Sequence, residues 1–236
     1  MNRDQEVKRT VEAIEQAKVA IAADRPERAD QPAVVASVPE IERTEVAKHE
    51  QGEVVKTKTY TKADFVIRLG ERQLHELGSV TIARYVAKVV DAESPVHLDE
   101  VVHRITELAG LKRAGSRIQK AVSNAIGYAS RKGEILKKKN FLWSPNQDEV
   151  VVRDRSELES SSRKYEYVPQ EELLETIRQI VESSYSVTKD ILVAESFKVL
   201  GFHRVTGKAQ AVFDNALRQG LREELFSEQD NLIVSQ

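Results

Sequence analysis

The sequence contains no cysteine, so neither a disulfide nor a thiolate metal site can form. No apolar run approaches the roughly 20 residues of a membrane span. The first twenty residues alternate charges with small apolar side chains, which is unlike a signal peptide. The expectation is a soluble, cytoplasmic chain without membrane contact. Five histidines, His49, His75, His97, His103 and His203, fall at no spacing that gathers three ligands, and no HExxH is present. Gly201 to Lys208 has the outline of a phosphate-binding loop and fails as one. Five residues rather than four separate its glycines, and Ala209 stands where a Ser or Thr would hold magnesium. No carboxylates stand out as a buried pair. The expectation is a non-enzyme with no cofactor and no metal.

What is present is a helical pattern. With 40% hydrophobic and 31% charged residues in 236, the composition suits two modest cores rather than one large one. Residues 4 to 24 carry Val7, Val11, Ile14 and Ile21 at helical spacing, which fits a short amphipathic helix or a coiled-coil stub that would make a homodimer. From Arg25 to about Lys58 the prolines and aperiodic charges read as a flexible linker. Tyr60 to Leu69 has extended character, ended by Gly70, and Val80 to Val90 is helical through Ile82, Tyr85, Val86, Val89 and Val90. Pro95 to Trp143 then reads as a short strand, a helix ended by Gly110, a second helix over Ser116 to Arg131 and a hairpin. The hairpin strands are placed at Glu134 to Leu136 and Phe141 to Trp143, with Lys137, Lys138, Lys139 and Asn140 as its turn. That order is the winged helix-turn-helix arrangement.

The unit repeats. At an offset of 91, Val96, Asp99, Val102, Gly110, Arg113 and Gln119 meet identical residues, as do Asn124, Ala125, Arg131 and Asn140. The second copy begins with a helix after Pro169, built on Leu173, Leu174, Ile177, Ile180 and Val181. A helix before Gly201 and another over Thr206 to Gln219 follow. Its hairpin runs from Glu224 to Phe226 and from Leu232 to Val234, with Ser227 to Asn231 as the turn. Val150 to Arg153, between the copies, reads as a strand. The fold class expected is mainly α with small β wings, in five segments. These are an N-terminal helix (1–24), a linker (25–59), a first winged domain with a basic wing (60–147), a linker (148–168) and a second winged domain with an acidic wing (169–236).

The copies differ in charge. Residues 97–143 hold ten Lys or Arg against four Asp or Glu, whereas residues 188–234 hold six against seven. A winged helix puts its second motif helix into the major groove and its wing on the backbone, so cations are needed at two places. Lys112, Arg113, Arg117 and Lys120 lie at the start of that helix, Asn124 lies farther along its polar side, and Lys137, Lys138 and Lys139 lie on the wing. Ser116 and the helix N-terminus are placed to receive a phosphate. Arg113 and Arg204, equivalent in the two copies, are read as pinning their turns.

The segment GLKRAGSRIQKAV, with ESPVHLDEVVHRI upstream, the FLW strand, VVVRDRS and the later LGFHRVTGKA, resembles a C-terminal domain of unknown function. That domain is found in large bacterial superfamily I helicase-like proteins, often beside nuclease domains and in genome-defence contexts. The likeness covers roughly Tyr60 to Gln236 and transfers no catalytic residue. It implies a helicase-like ATPase or nuclease as partner and nucleic acid as the substrate of the assembly. The expected function is an accessory module whose first copy contacts duplex DNA, or RNA, and whose second docks on a partner. The alternatives are a scaffold that binds protein only and a dimeric transcription regulator.

Overall fold

The computed structural model describes residues 55–236. The expected N-terminal helix, the homodimer built on it and most of the expected linker lie outside the described residues. A 3-10 turn at Leu74–Glu76 leads into α1 (Ser79–Glu93), which buries Ile82, Val86, Val89 and Val90 along one stripe. A two-residue strand, β2 (Val96–His97), feeds α2 (Leu98–Leu108), and the Nδ1 of His97 caps that helix by accepting the Asp99 N–H at 3.2 Å. Gly110 ends α2 at φ 71°, a conformation that suits glycine. Its N–H donates to the Glu107 carbonyl at 2.8 Å, and the Leu111 N–H donates to the Thr106 carbonyl at 3.0 Å. Then come α3 (Ser116–Arg131) and the hairpin β3 (Leu136–Lys138) and β4 (Phe141–Trp143). The antiparallel strand order β2-β4-β3 places Leu142 against Ile105 and Val122 in one core.

The second half repeats this plan. It comprises α4 (Gln170–Ser184), β6 (Ser186–Thr188), α5 (Lys189–Val199), α6 (Gly207–Arg222), β7 (Phe226–Gln229) and β8 (Leu232–Ser235), with strand order β6-β8-β7. Each helix begins and ends 91 residues after its counterpart, and so does the 3-10 turn at Tyr165–Tyr167. The correspondence therefore reaches upstream of Val96. There it is carried chiefly by burial: Ile82, Val86 and Val89 answer to Leu173, Ile177 and Ile180, and Val90 answers to an identical Val181.

The strands depart from the sequence reading. Both hairpin turns are two residues long, so Lys137 and Lys138 lie within β3, and Lys138 pairs with Phe141. Only Lys139 and Asn140 turn, Lys139 at φ 53°. The cause is the end of α3. The Gly133 N–H and the Glu134 N–H close its last turn, Ile135 drops into the core, and the strand starts after them. In the second hairpin Asp230 and Asn231 turn at φ 47° and 68°. The strand expected at Val150 is β5 (Val152–Asp154). It pairs in parallel with β1 (Thr57–Thr59), formed by residues read as the end of the linker. Tyr60 to Leu69 forms no strand, but buries Ala63 and Ile67 on the first half.

Buried carboxylates were not expected, and three are present. Glu172, on α4, accepts from Arg153 and Arg155, both on the segment between the halves. Arg153 also donates to the carbonyls of Glu93 at 2.7 Å and Pro95 at 2.8 Å, where α1 gives way to β2. Glu93 and Glu100 both accept from Arg104, and the Tyr60 hydroxyl donates to Glu93 at 3.0 Å. One polar network therefore ties the end of α1 to the start of α4. Beside it, the His97 ring stacks on Tyr167 with centroids 4.5 Å apart. Burial holds the His97 pKa below its ordinary value, with Lys164 adding to the effect against Asp99 and Glu166. Among the described residues no helix is long and apolar enough to cross a membrane.

Candidate nucleic-acid interface

α3 forms where the sequence changes from a glycine-rich turn to a stripe of Val122, Ala125, Ile126 and Ala129, all buried against α1. Burying that stripe turns the opposite side outward. Arg117, Lys120 and Asn124 are exposed there at three- and four-residue spacing. Ser116 is the first residue of α3, and no side chain caps the helix N-terminus. The N–H groups of that first turn are therefore available to an anion. Lys112 and Arg113, in the turn between α2 and α3, are exposed as well.

The three hairpin lysines do not form one patch. Lys137 pairs with Leu142 across the hairpin, so it shares the core-facing side and overhangs the space between α2 and α3. Lys138 lies on the other side, with its Nζ 4.2 Å from the centroid of the Trp143 ring. Lys139 is in the turn. Sequence-predicted residues thus fall into three groups: Lys112, Arg113 and Lys137 around one groove; Ser116, Arg117, Lys120 and Asn124 on the outer side of α3; and Lys138 with Lys139 at the back and tip of the hairpin.

Among the described residues, none of these seven cations forms an ion pair, although eleven pairs of Lys or Arg with Asp or Glu exist elsewhere, such as Lys62 with Glu107 and Lys208 with Glu166. The second half treats the same positions differently. Its counterpart of Arg117 is Lys208, held by Glu166 at 3.3 Å, and its counterpart of Lys120 is Ala211. Glu228 replaces Lys137 and pairs with Lys189 at 2.7 Å, while Asp230 replaces Lys139. The reading of Arg113 and Arg204 as pins is corrected. Neither side chain has a hydrogen-bond partner among the described residues, and the second turn is tied by the Tyr165 hydroxyl, which donates to the Arg204 carbonyl at 2.6 Å.

Between α2 and α3 lies a groove of about 920 Å³, which the sequence reading did not anticipate. Val102 and Ile126 line it from the core side, Ile126 being buried in the first-half core and Val102 packed against that core. The signal that could have found it is the row Ser123, Gly127 and Ser130 along one side of α3, too small to fill the space. Gln119 and His103 also face it. No group of His, Asp and Glu among the described residues is close enough to hold a metal.

Residues 72–120, from the first 3-10 turn to the first turns of α3, match a family described as Protein of unknown function (DUF3320). The chain matches no curated protein and no solved structure.

Proposed function

We propose that both halves are winged-helix modules and that the first binds duplex DNA, without catalysis, as an accessory to a helicase-like ATPase or nuclease in a bacterial cytoplasm. The observation that carries this reading is the set of seven exposed cations that α3, its preceding turn and its hairpin present in three groups. All seven lack an acidic partner among the described residues, while the second half pairs or replaces most of its counterparts. Unpaired surface cations repel one another, and a phosphate backbone relieves that repulsion while releasing counterions.

In this reading α3 enters the major groove. Arg117 and Lys120 contact phosphates at its edge, Asn124 faces the bases, and Ser116 with the open helix N-terminus holds a phosphate. A hairpin with a two-residue turn is short, so Lys139 touches the backbone rather than the floor of the minor groove. RNA duplexes are a poorer fit, because their major groove is too narrow for a helix.

The second half docks on the partner protein. Tyr185 and Ile191, 80% and 55% exposed, are among its most exposed apolar side chains, and its hairpin is acidic. Those two residues also favour the second reading, a scaffold that binds protein only.

The test copies the second half into the first. A Lys120→Ala, Lys137→Glu, Lys139→Asp variant should bind a random blunt duplex at least about tenfold more weakly than wild type in fluorescence anisotropy at low salt. Unchanged affinity would overturn the assignment of the site. Absence of binding by the folded wild type would leave the scaffold reading in front.

A further inference from the structure

We propose that the groove between α2 and α3 receives an unpaired nucleobase, so that the first half prefers a duplex ending in a single-stranded extension to a blunt one. This rests on the duplex-binding reading above. Contact with duplex phosphates requires only cations on an outer surface. It gives no reason for a space of about 920 Å³ floored by Leu98, Val102 and Ile126. An apolar floor rimmed by charged and hydrogen-bonding side chains suits a flat organic ligand with polar edges.

The polar groups match a base that stays attached to its phosphates. Lys112 and Arg113 at one end and Lys137 on the hairpin flank the groove, none with an ion-pair partner among the described residues. Within it, Asp99 and Glu159 supply carboxylate acceptors, and Gln119 supplies an amide, although its Nε2 already donates to the Ala114 carbonyl at 3.1 Å. Glu107, the remaining acid in the lining, is engaged by Arg104 and by Lys62. Carboxylates accept from the exocyclic amino group of cytosine, which in a duplex is already paired. The base faces lie on the aliphatic floor, as extruded bases lie against apolar side chains elsewhere. An unpaired terminal base enters without the cost of breaking a pair.

The same groove is open to blocking. Gly127 lies on its wall within the interior of α3, and a Cβ added there approaches the end of the Arg131 side chain at 3.4 Å. Gly127→Leu therefore adds bulk at the groove wall while favouring the helix.

The experiment compares three labelled probes by anisotropy: a blunt duplex, the same duplex with a short single-stranded oligo-dC extension, and one with an abasic extension carrying the same number of phosphates. Wild type should bind the dC extension roughly tenfold more tightly than the abasic one. Gly127→Leu should abolish that difference and leave blunt-duplex affinity unchanged, with its fold checked by circular dichroism. Equal binding of the dC and abasic probes by wild type, with the blunt duplex still bound, would overturn the groove assignment and spare the reading beneath it. Failure of all three probes to bind would overturn both.

Discussion

Glu172 is the residue on which the join between the halves depends. Burial alone would push its pKa up, but Arg155 and Arg153 beside it outweigh that and hold the carboxyl below its ordinary 4.5. A glutamate shifted downward adds stability that is fully present above the unfolded value and is lost as pH falls through the folded one. Urea midpoints of the wild type should therefore drop as pH is lowered below 4.5. Glu172→Gln, which leaves two guanidiniums buried without a charge partner, should cost about 3–5 kcal/mol at neutral pH and flatten that acid limb. A Gln variant with the wild-type midpoint would show that the network contributes no stability. None of this was legible in the sequence. Arg153 sits in a three-residue strand and Arg155 just after it, and their carboxylate lies 19 and 17 residues away on a helix whose acids read as ordinary first-turn charges.

At the scale of elements, the helices were legible and the strands less so. α3 has its own apolar stripe between glycines at 115 and 133, so its bounds follow from local sequence. The hairpins lack such marks, because Lys139, Asp230 and Asn231 take positive φ where glycine would have announced the turn. β1 was out of reach of any local pattern, since three residues acquire their strand character by pairing with β5, 95 positions later. The two helix-ending glycines separate conformational from steric demands. At Gly110 an added side chain meets open space, so Gly110→Ala should cost only the backbone term, about 1–2 kcal/mol. At Gly201 the same atom would fall 2.3 Å from the Ser156 nitrogen and 2.4 Å from an Asp154 oxygen, on the segment that passes the end of α5, where the Arg155 N–H donates to the Leu200 carbonyl. Gly201→Ala should therefore lower the thermal midpoint well beyond Gly110→Ala. Equal shifts in a calorimetric comparison would contradict the close approach.

Residues 55–236 present two copies of one plan, fixed to each other through a buried polar network and specialised by charge. The charge difference was legible, ten cations against four acids in one stretch and six against seven in the other. The candidate cations were legible as a set, but not their separation into a helix face, a groove rim and the back of a hairpin. That separation depends on strand register and on the groove between α2 and α3, both set by tertiary packing. The most direct measurement of the central claim is the salt dependence of blunt-duplex binding by the wild-type chain. Each phosphate neutralised contributes about 0.9 to the slope of log affinity against log salt. Contacts from the outer side of α3 and the hairpin tip predict a slope of about −4, reduced in magnitude by about 1 in Lys139→Ala and unmoved by Lys208→Ala in the second half. A slope near zero, or one that responds to Lys208 and not to Lys139, would contradict the account.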